Sequence, residues 1–222
     1  MVIRSVNVIG RGRVGSAVAA RLEERGVELR EEGAHIVLLC VPDAAIAATA
    51  ECQTLVMSQW VGHTSGATPL SALGSHGRRF GLHPLQTFDR SGAPAQLDGA
   101  HAAVTAESDE GREVGHELAR ILGLTPFDLA DTDRALYHAG AAIASNYVVT
   151  LHRAATALFQ EVGAPPEGLE PLMRRVIENG FELTGPIARG DLETLERHLA
   201  AIAERKPALE PLYRVLAEGT AP

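Results

Sequence analysis

Three glycines near the start of the chain sit at a spacing that can hold a phosphate. Gly10, Gly12 and Gly15 follow Val6, Val8 and Ile9, a β-rich stretch with no charged residue. They lead into Val14, Val18 and Leu22, which recur at helical spacing opposite Arg21, Glu23, Glu24 and Arg25, with Gly26 as the stop. The pattern reads strand, turn, helix. In a dinucleotide-binding turn the first glycine permits a tight bend, the second lets a pyrophosphate approach the backbone, and the third packs helix on strand. Free amides at the helix N-terminus then face the phosphate. Arg11 and Arg13, inside the turn, can meet a pyrophosphate or a 2′-phosphate, or simply face solvent.

Further candidates stand where apolar runs give way to loops, the edge at which open α/β sheets bind ligands. Val41, Pro42 and Asp43 end the run Ile36 to Val41, and His63, Thr64 and Ser65 follow Trp60 to Gly62. These loops can line a nicotinamide; Ser and Thr there also serve simple turn chemistry. His83 follows Arg79 to Leu82 and precedes Pro84. An imidazole in that place can give or take a proton at neutral pH, as hydride transfer to a carbonyl or imine requires, or it can shape the loop through a backbone carbonyl. Gln86 and Thr87 are placed to orient a substrate. A metal shared by His63 and His83 lacks a visible third ligand, and none is expected.

His138 and Ser145 are seven residues apart and share a helical face, with Asn146 beside it. Asn146 can hold a substrate oxygen and His138 can stand where a cationic donor is needed; equally, both can be buried polar groups satisfying helix contacts. Tyr137 and Tyr147 read as packing. Arg189 can bind a substrate carboxylate or phosphate, or contact Asp191. One count excludes chemistry: Lys206 is the only lysine, so no mechanism can use a lysine within the first two hundred residues.

The elements that must position these groups form an interrupted Rossmann pattern. Only eight residues, VELREEGA at 27–34, separate the first helix from the next apolar strand. A regular half-fold places a strand, a helix and a further strand there, with an acidic residue about twenty positions past the turn for the ribose. A chain returning from the far end of a strand in about four extended residues covers barely a strand length, at roughly 3.3 Å per residue. Glu31 and Glu32 fall near the acidic position but read as a solvated charge run, and Arg30 serves NADP only if 27–30 is a strand. The strand and helix rhythm continues to Leu129, with a helix over Ser108 to Leu122.

Helical segments follow at about 132–162, 167–181, 191–204 and 207–218. The stretch ALYHAGAAIASNYVVTL is small and nearly uncharged all round, which predicts a helix packed on several sides, a partner subunit included. The expected fold is α/β: a truncated Rossmann-type, mostly parallel sheet over 1–130 plus an all-helical dimerisation domain over 131–222.

A net charge of −8 argues against nucleic acid or an anionic membrane as the main partner. No apolar run is long enough to span a bilayer and no signal-peptide pattern is present, so a cytoplasmic location is expected. Cys40 and Cys52 read as two buried thiols.

The motifs GRGRVG, VPDAAI, HTSGA, GLHPLQTF, YHAGAAIASNYVVTL and LTGPIARGD, in that order, resemble an uncharacterised bacterial family. Its members have a Rossmann-like N-terminal domain and a helical C-terminal domain of unknown function, and are related to pyrroline-5-carboxylate reductase and the 6-phosphogluconate dehydrogenase superfamily. The resemblance covers almost the whole chain. It implies an NAD(P)-type crevice at the carboxyl ends of the strands, closed by a helical domain that makes an intertwined homodimer. Prephenate dehydrogenases carry a similar His-Pro, which suggests carboxylate-bearing substrates. Dehydrogenases of the superfamily present a lysine and an asparagine from the helix corresponding to that of Asn146; here no lysine is available. Two expectations result. One is an NADP- or NAD-dependent oxidoreductase acting on a small carboxylated carbonyl, imine or hydroxy compound. The other is a dimeric ligand-binding or regulatory protein on a degenerate scaffold, favoured by the short 27–34 segment and the missing lysine.

Overall fold

The computed structural model describes residues 3–53 and 58–220. In chain order the first elements are β1 (Ser5–Ile9), α1 (Arg13–Glu24), β2 (Glu28–Leu29), β3 (Ile36–Leu39), α2 (Ile46–Glu51), β4 (Trp60–His63) and β5 (Arg79–Leu85). They are followed by β6 (His101–Ala106), α3 (Asp109–Ile121), β7 (Thr125–Asp128) and α4 (Arg134–Ala142). The seven strands form one sheet in the order β2-β1-β3-β4-β5-β6-β7. All neighbours are parallel except β5 and β6, which run antiparallel.

The continuous apolar run of β3 follows from burial on both faces. Ile36 and Leu38 point to one side, where Val18 and Leu22 of α1 and Val114 and Leu118 of α3 belong to the same core. Val37 and Leu39 point to the other, against Ile46, Ala50, Leu70 and Leu73. Trp60, 2% exposed, meets Phe80 edge to face at 6.5 Å, and the Arg78 guanidinium lies 5.2 Å from its ring centre. Ser108 caps α3 by accepting from the Gly111 amide at 3.1 Å.

The short 27–34 segment is solved by shortening a strand. Glu28 and Leu29 pair in parallel with Ser5 and Val6, at the beginning of β1, and β3 starts opposite that same Val6. The chain therefore crosses β1 at one level and has no strand length to climb back. Asn7 Nδ2 donates to the Glu31 carbonyl at 2.8 Å, and the His35 amide donates to Ser5 Oγ at 3.2 Å. Ser5 and Asn7 share one face of β1, so the crossing loop lies where a regular fold carries a helix. The carboxyl end of β2 lies three residues short of the Ile9 end of β1, about 10 Å at ~3.3 Å per residue.

Three sequence expectations need correction. β5 does not stop at Leu82: after β4 has ended at His63, opposite Gly81, β6 continues the pairing with His83, Pro84 and Leu85. Cys52 is exposed; Cys40 alone is enclosed, just beyond β3, and burial pushes its thiol up to about 12. The helix expected over 132–162 is interrupted by a π turn, Ile143–Tyr147.

By its internal contacts the chain divides into two compact units, one up to Ile143 and one from Ala144. The second holds α5 (Val148–Glu161), α6 (Leu169–Glu178), α7 (Gly185–Ala188), α8 (Leu192–Arg205) and α9 (Glu210–Thr220). Glu161 on α5 accepts from Arg205 at 3.2 Å and Lys206 at 2.9 Å, and His198 of α8 bonds the Tyr213 hydroxyl of α9 at 2.7 Å. Tight packing was expected around the small-residue stretch, yet in the single chain Ile143 is 59% and Val149 49% exposed. No helix among the described residues is long and apolar enough to cross a membrane.

Candidate functional site

The three glycines of the first turn do three different things. Gly10 has φ +95°, and a Cβ there would stand 2.5 Å from the Cys40 carbonyl oxygen. At Gly15 a Cβ would lie 1.8 Å from the Gly10 carbonyl oxygen, so only glycine lets α1 pack this closely on the end of β1. Gly12, the N-cap of α1 with φ −73°, has nothing within 4 Å of a built Cβ. A side chain there would occupy open space in front of the helix N-terminus, where a phosphate could approach. No acidic residue stands in the first turn of α1. Arg11 and Arg13 are exposed, whereas Val14 packs partly into the core.

The loop after β5 folds over the same helix. Arg21 of α1, 4% exposed, bonds the Pro94 carbonyl at 2.7 Å and pairs with Asp98 at 2.7 Å. A Cβ on Gly92 would lie 2.8 Å from Ser16 Cβ. Within this loop Gln86 and Thr87 are exposed, and the Gln86 side-chain carbonyl accepts from the Thr87 amide at 2.8 Å.

The loops after β3 and β4 begin side by side. The Cys40 amide donates to the Ile9 carbonyl at 2.7 Å, and the Thr64 amide to that of Leu39 at 3.1 Å. Val41 is half-buried, and Pro42 and Asp43 are exposed at the start of a short 3-10 turn. Ser65 serves turn chemistry: its Oγ accepts from the Ala67 and Thr68 amides at 3.2 and 3.0 Å and donates to Thr68 Oγ1. His63 is fully buried, and neither ring nitrogen has a partner of hydrogen-bond geometry. Burial first, then the nearby Arg134 and His83, push its pKa down to about 3.

His83 is the centre of a cluster. Its Nδ1 lies 2.7 Å from the Tyr137 hydroxyl, and its ring meets Tyr137 at 5.5 Å and His138 at 5.9 Å, both edge to face. Gly66 makes the room: a Cβ there would stand 2.6 Å from His138 Cδ2 and 2.9 Å from His83 Nε2. Burial, reinforced by His138 and Arg134 and opposed by Asp43, lowers the His83 pKa to about 4. Tyr137 is pushed up to about 12 by burial and stays a neutral phenol at neutral pH.

Arg134 lies beneath this cluster, 1% exposed. Its Nη1 donates to Thr105 Oγ1 at 2.8 Å and its Nη2 to the Ser65 carbonyl, while Nε stands 4.0 Å from Asp131 Oδ1 without a hydrogen bond. The guanidinium rests on Gly81, where a Cβ would come within 2.7 Å of Nη1. Sequence reasoning missed Arg134 and read Tyr137 as packing. The signal was present: Arg134, Tyr137 and His138 stand at i, i+3 and i+4, one face of α4.

The structure thus brings His83 and His138 together and sets His63, Thr64 and Ser65 on the adjoining strand end. Ser145, half-buried, and Asn146, exposed, fall in the π turn Ile143–Tyr147. Arg189 is exposed at the end of α7, and Asp191 caps α8 by accepting from the Thr194 amide at 3.1 Å. Among the described residues no group of three or more His, Cys, Asp and Glu converges as a metal site.

Comparison with curated proteins gives no match. Among solved structures, a candidate NADP oxidoreductase from Bacteroides fragilis superposes with a TM-score of 0.81 at 20% identity, over 98% of this chain and 97% of that one. Protein TM1727 from Thermotoga maritima gives 0.79 at 21% identity, over 97% and 96%. A reductive aminase from Aspergillus terreus, in complex with NADPH and ethyl levulinate, gives 0.63 at 18% identity, over 99% and 96%. At such identities the likeness is one of fold, the Rossmann-like mostly parallel sheet with added helices. Residues 100–220 match the family described as a domain of unknown function, DUF2520. That match begins beside β6, takes in every later helix and covers more than half of the sequence, so the chain belongs to the DUF2520 family.

Proposed function

We propose that the chain is an NADP- or NAD-dependent oxidoreductase acting on a small carboxylated carbonyl, imine or hydroxy compound. The observation that carries this reading is the glycine turn, whose first and third glycines are sterically obligatory while the second faces open space at a helix N-terminus. Proteins of this fold named as an NADP oxidoreductase and as a reductive aminase complexed with NADPH support the same class. The residues present fit the phosphate end of such a cofactor: Gly10, Gly12 and Gly15 leave the approach clear, and Arg11 and Arg13 add positive charge beside it. Val41, Pro42, Asp43, Thr64 and Ser65 would border its nicotinamide end. When bound, the nicotinamide supplies or accepts the hydride.

Proton handling falls to His83. With a pKa near 4 its ring is neutral at pH 7, and with Nδ1 facing Tyr137, Nε2 is the nitrogen left for exchange. A Tyr137 hydroxyl donating to Nδ1 fixes the Nε2–H tautomer, which donates to a carbonyl oxygen as a neutral electrophile. In the opposite tautomer Nε2 accepts the proton of a hydroxyl group. The Arg134 charge, only loosely matched by Asp131, favours an anionic substrate nearby.

Calorimetry with NAD, NADH, NADP and NADPH tests the reading, and failure of all four to bind at millimolar concentration rejects it. Replacing His83 by Asn should spare binding and remove turnover; unchanged turnover rejects its proton role. The two-residue β2 favours a second reading, a dimeric ligand-binding or regulatory protein without efficient dinucleotide binding, and the same titration separates the two. In either case we assign the exposed apolar side chains of the helical unit, among them Leu172, Ile177 and Phe181, to contact with a second copy of this chain.

A further inference from the structure

We infer that Arg134 is a positioning residue: its buried guanidinium ties the loop after β4 to β6 and fixes the electrostatic setting in which His83 exchanges its proton. The inference rests on the assignment of His83 above. The geometry has three parts. Nη1 reaches Thr105 on β6 and Nη2 reaches the Ser65 carbonyl, so one side chain joins segments 40 residues apart in sequence and holds the loop that contains Gly66, against which both imidazoles pack. The guanidinium lies over Gly81, and Gly81 and His83 point to the same face of β5 two residues apart. The charge is also incompletely compensated, since the Asp131 carboxylate stands 4.0 Å from Nε and Nε has no hydrogen bond.

A fixed cation on the same side of β5, shielded from water, disfavours a second positive charge on His83. The other groups facing His83 have mixed effects: His138 on α4 and burial act in the same direction, Asp43 beyond β3 acts against them, and the Tyr137 phenol is neutral. His63 on β4 lies under the influence of both Arg134 and His83. Arg134 is thus the permanently charged member of a cluster whose other bases are imidazoles.

The test needs neither cofactor nor substrate, so its failure and the failure of the oxidoreductase reading are distinguishable. Imidazole proton resonances of the full chain are followed by NMR against pH, with His83 assigned through His83→Gln. In the wild-type protein His83 should titrate near 4. Arg134→Met should raise that midpoint by about half a pH unit, less than burial and His138 contribute, and Arg134→Lys should restore it toward the wild-type value. A folded Arg134→Met protein with an unchanged His83 midpoint overturns the inference. If Arg134→Met does not fold, Asp131→Asn decides, because it keeps an acceptor for the Leu70 amide while removing the nearest counter-charge. The His83 midpoint should then fall, and an unchanged midpoint overturns the inference.

Discussion

The two units solve the burial problem in opposite ways. Up to Ile143 a seven-stranded sheet is covered on both faces, and the two arginines taken inside hydrogen-bond through their Nη atoms, Arg21 to the Pro94 carbonyl beside Asp98 and Arg134 to Thr105 and the Ser65 carbonyl. From Ala144 onward, only Leu169 and Ile202 among the described apolar side chains are buried, while Leu172, Ile177, Phe181, Leu192 and Val215 remain mostly or largely exposed. Amphipathic helices of this kind draw their stability from whatever covers the apolar stripe. The comparison teaches that the sheet buries its apolar side chains within one chain, whereas the helices leave most of theirs exposed.

Introducing charge on the uncovered stripe should give the largest effect. Leu172→Asp combined with Ile177→Asp is expected to convert a dimer wholly to monomer in sedimentation velocity, leaving the sheet folded. An unaltered sedimentation coefficient, or a wild-type monomer, breaks the assignment to a second copy. Next in size, Phe80→Ala should cost ~3–5 kcal/mol in urea unfolding, because the ring is fully buried against Trp60. Phe181→Gly should cost nothing in the same experiment at low protein concentration: its ring is 72% exposed and its φ of +62° suits glycine. Equal losses would erase the contrast.

Acid should act on the sheet next. His83 and His63 are depressed from 6.5 to about 4 and about 3, so between those values the unfolded chain binds more protons than the folded one. Stability is therefore fully present above pH 6.5 and falls as the pH drops toward 4, by on the order of 3 kcal/mol for each histidine. Urea midpoints from pH 7 to pH 4 check this, and His83→Gln should flatten the slope. Two further effects are expected in the glycine turn. Gly15→Ala should cost ~1–3 kcal/mol through its clash with the Gly10 carbonyl, whereas Gly12→Ala should change stability by less than about 0.5 kcal/mol and weaken dinucleotide binding. Undiminished binding by Gly12→Ala would remove the pyrophosphate from that position.

What could be read in advance was local. Val6 to Leu22 carry their strand, turn and helix in residue type and spacing alone, and the shortage of residues at 27–34 foretold the truncation by simple reach. The manner of truncation was hidden, since it depends on β2 pairing low on β1, a register set by contacts between distant segments. His83 was visible as a strand-end imidazole, yet its strand runs on because β6, from across a long loop, supplies the antiparallel partner. Arg134 drew no reading from the sequence. Its burial is decided by a hydroxyl and a carbonyl 29 and 69 residues earlier, which no local pattern encodes.

Trp60 is the only tryptophan in the chain, and it lies in the sheet core between Phe80 and the Arg78 guanidinium. Its fluorescence is therefore a built-in reporter of one unit alone. Far-ultraviolet circular dichroism, by contrast, weighs the helices, most of which lie beyond Ala144. Recording both signals on one sample turns the difference between the units into two melting curves: coincident curves mean the helices and the sheet unfold as a single cooperative system. A dichroism transition that moves with protein concentration while the tryptophan transition stays fixed identifies the helices as the part whose folding is shared between copies.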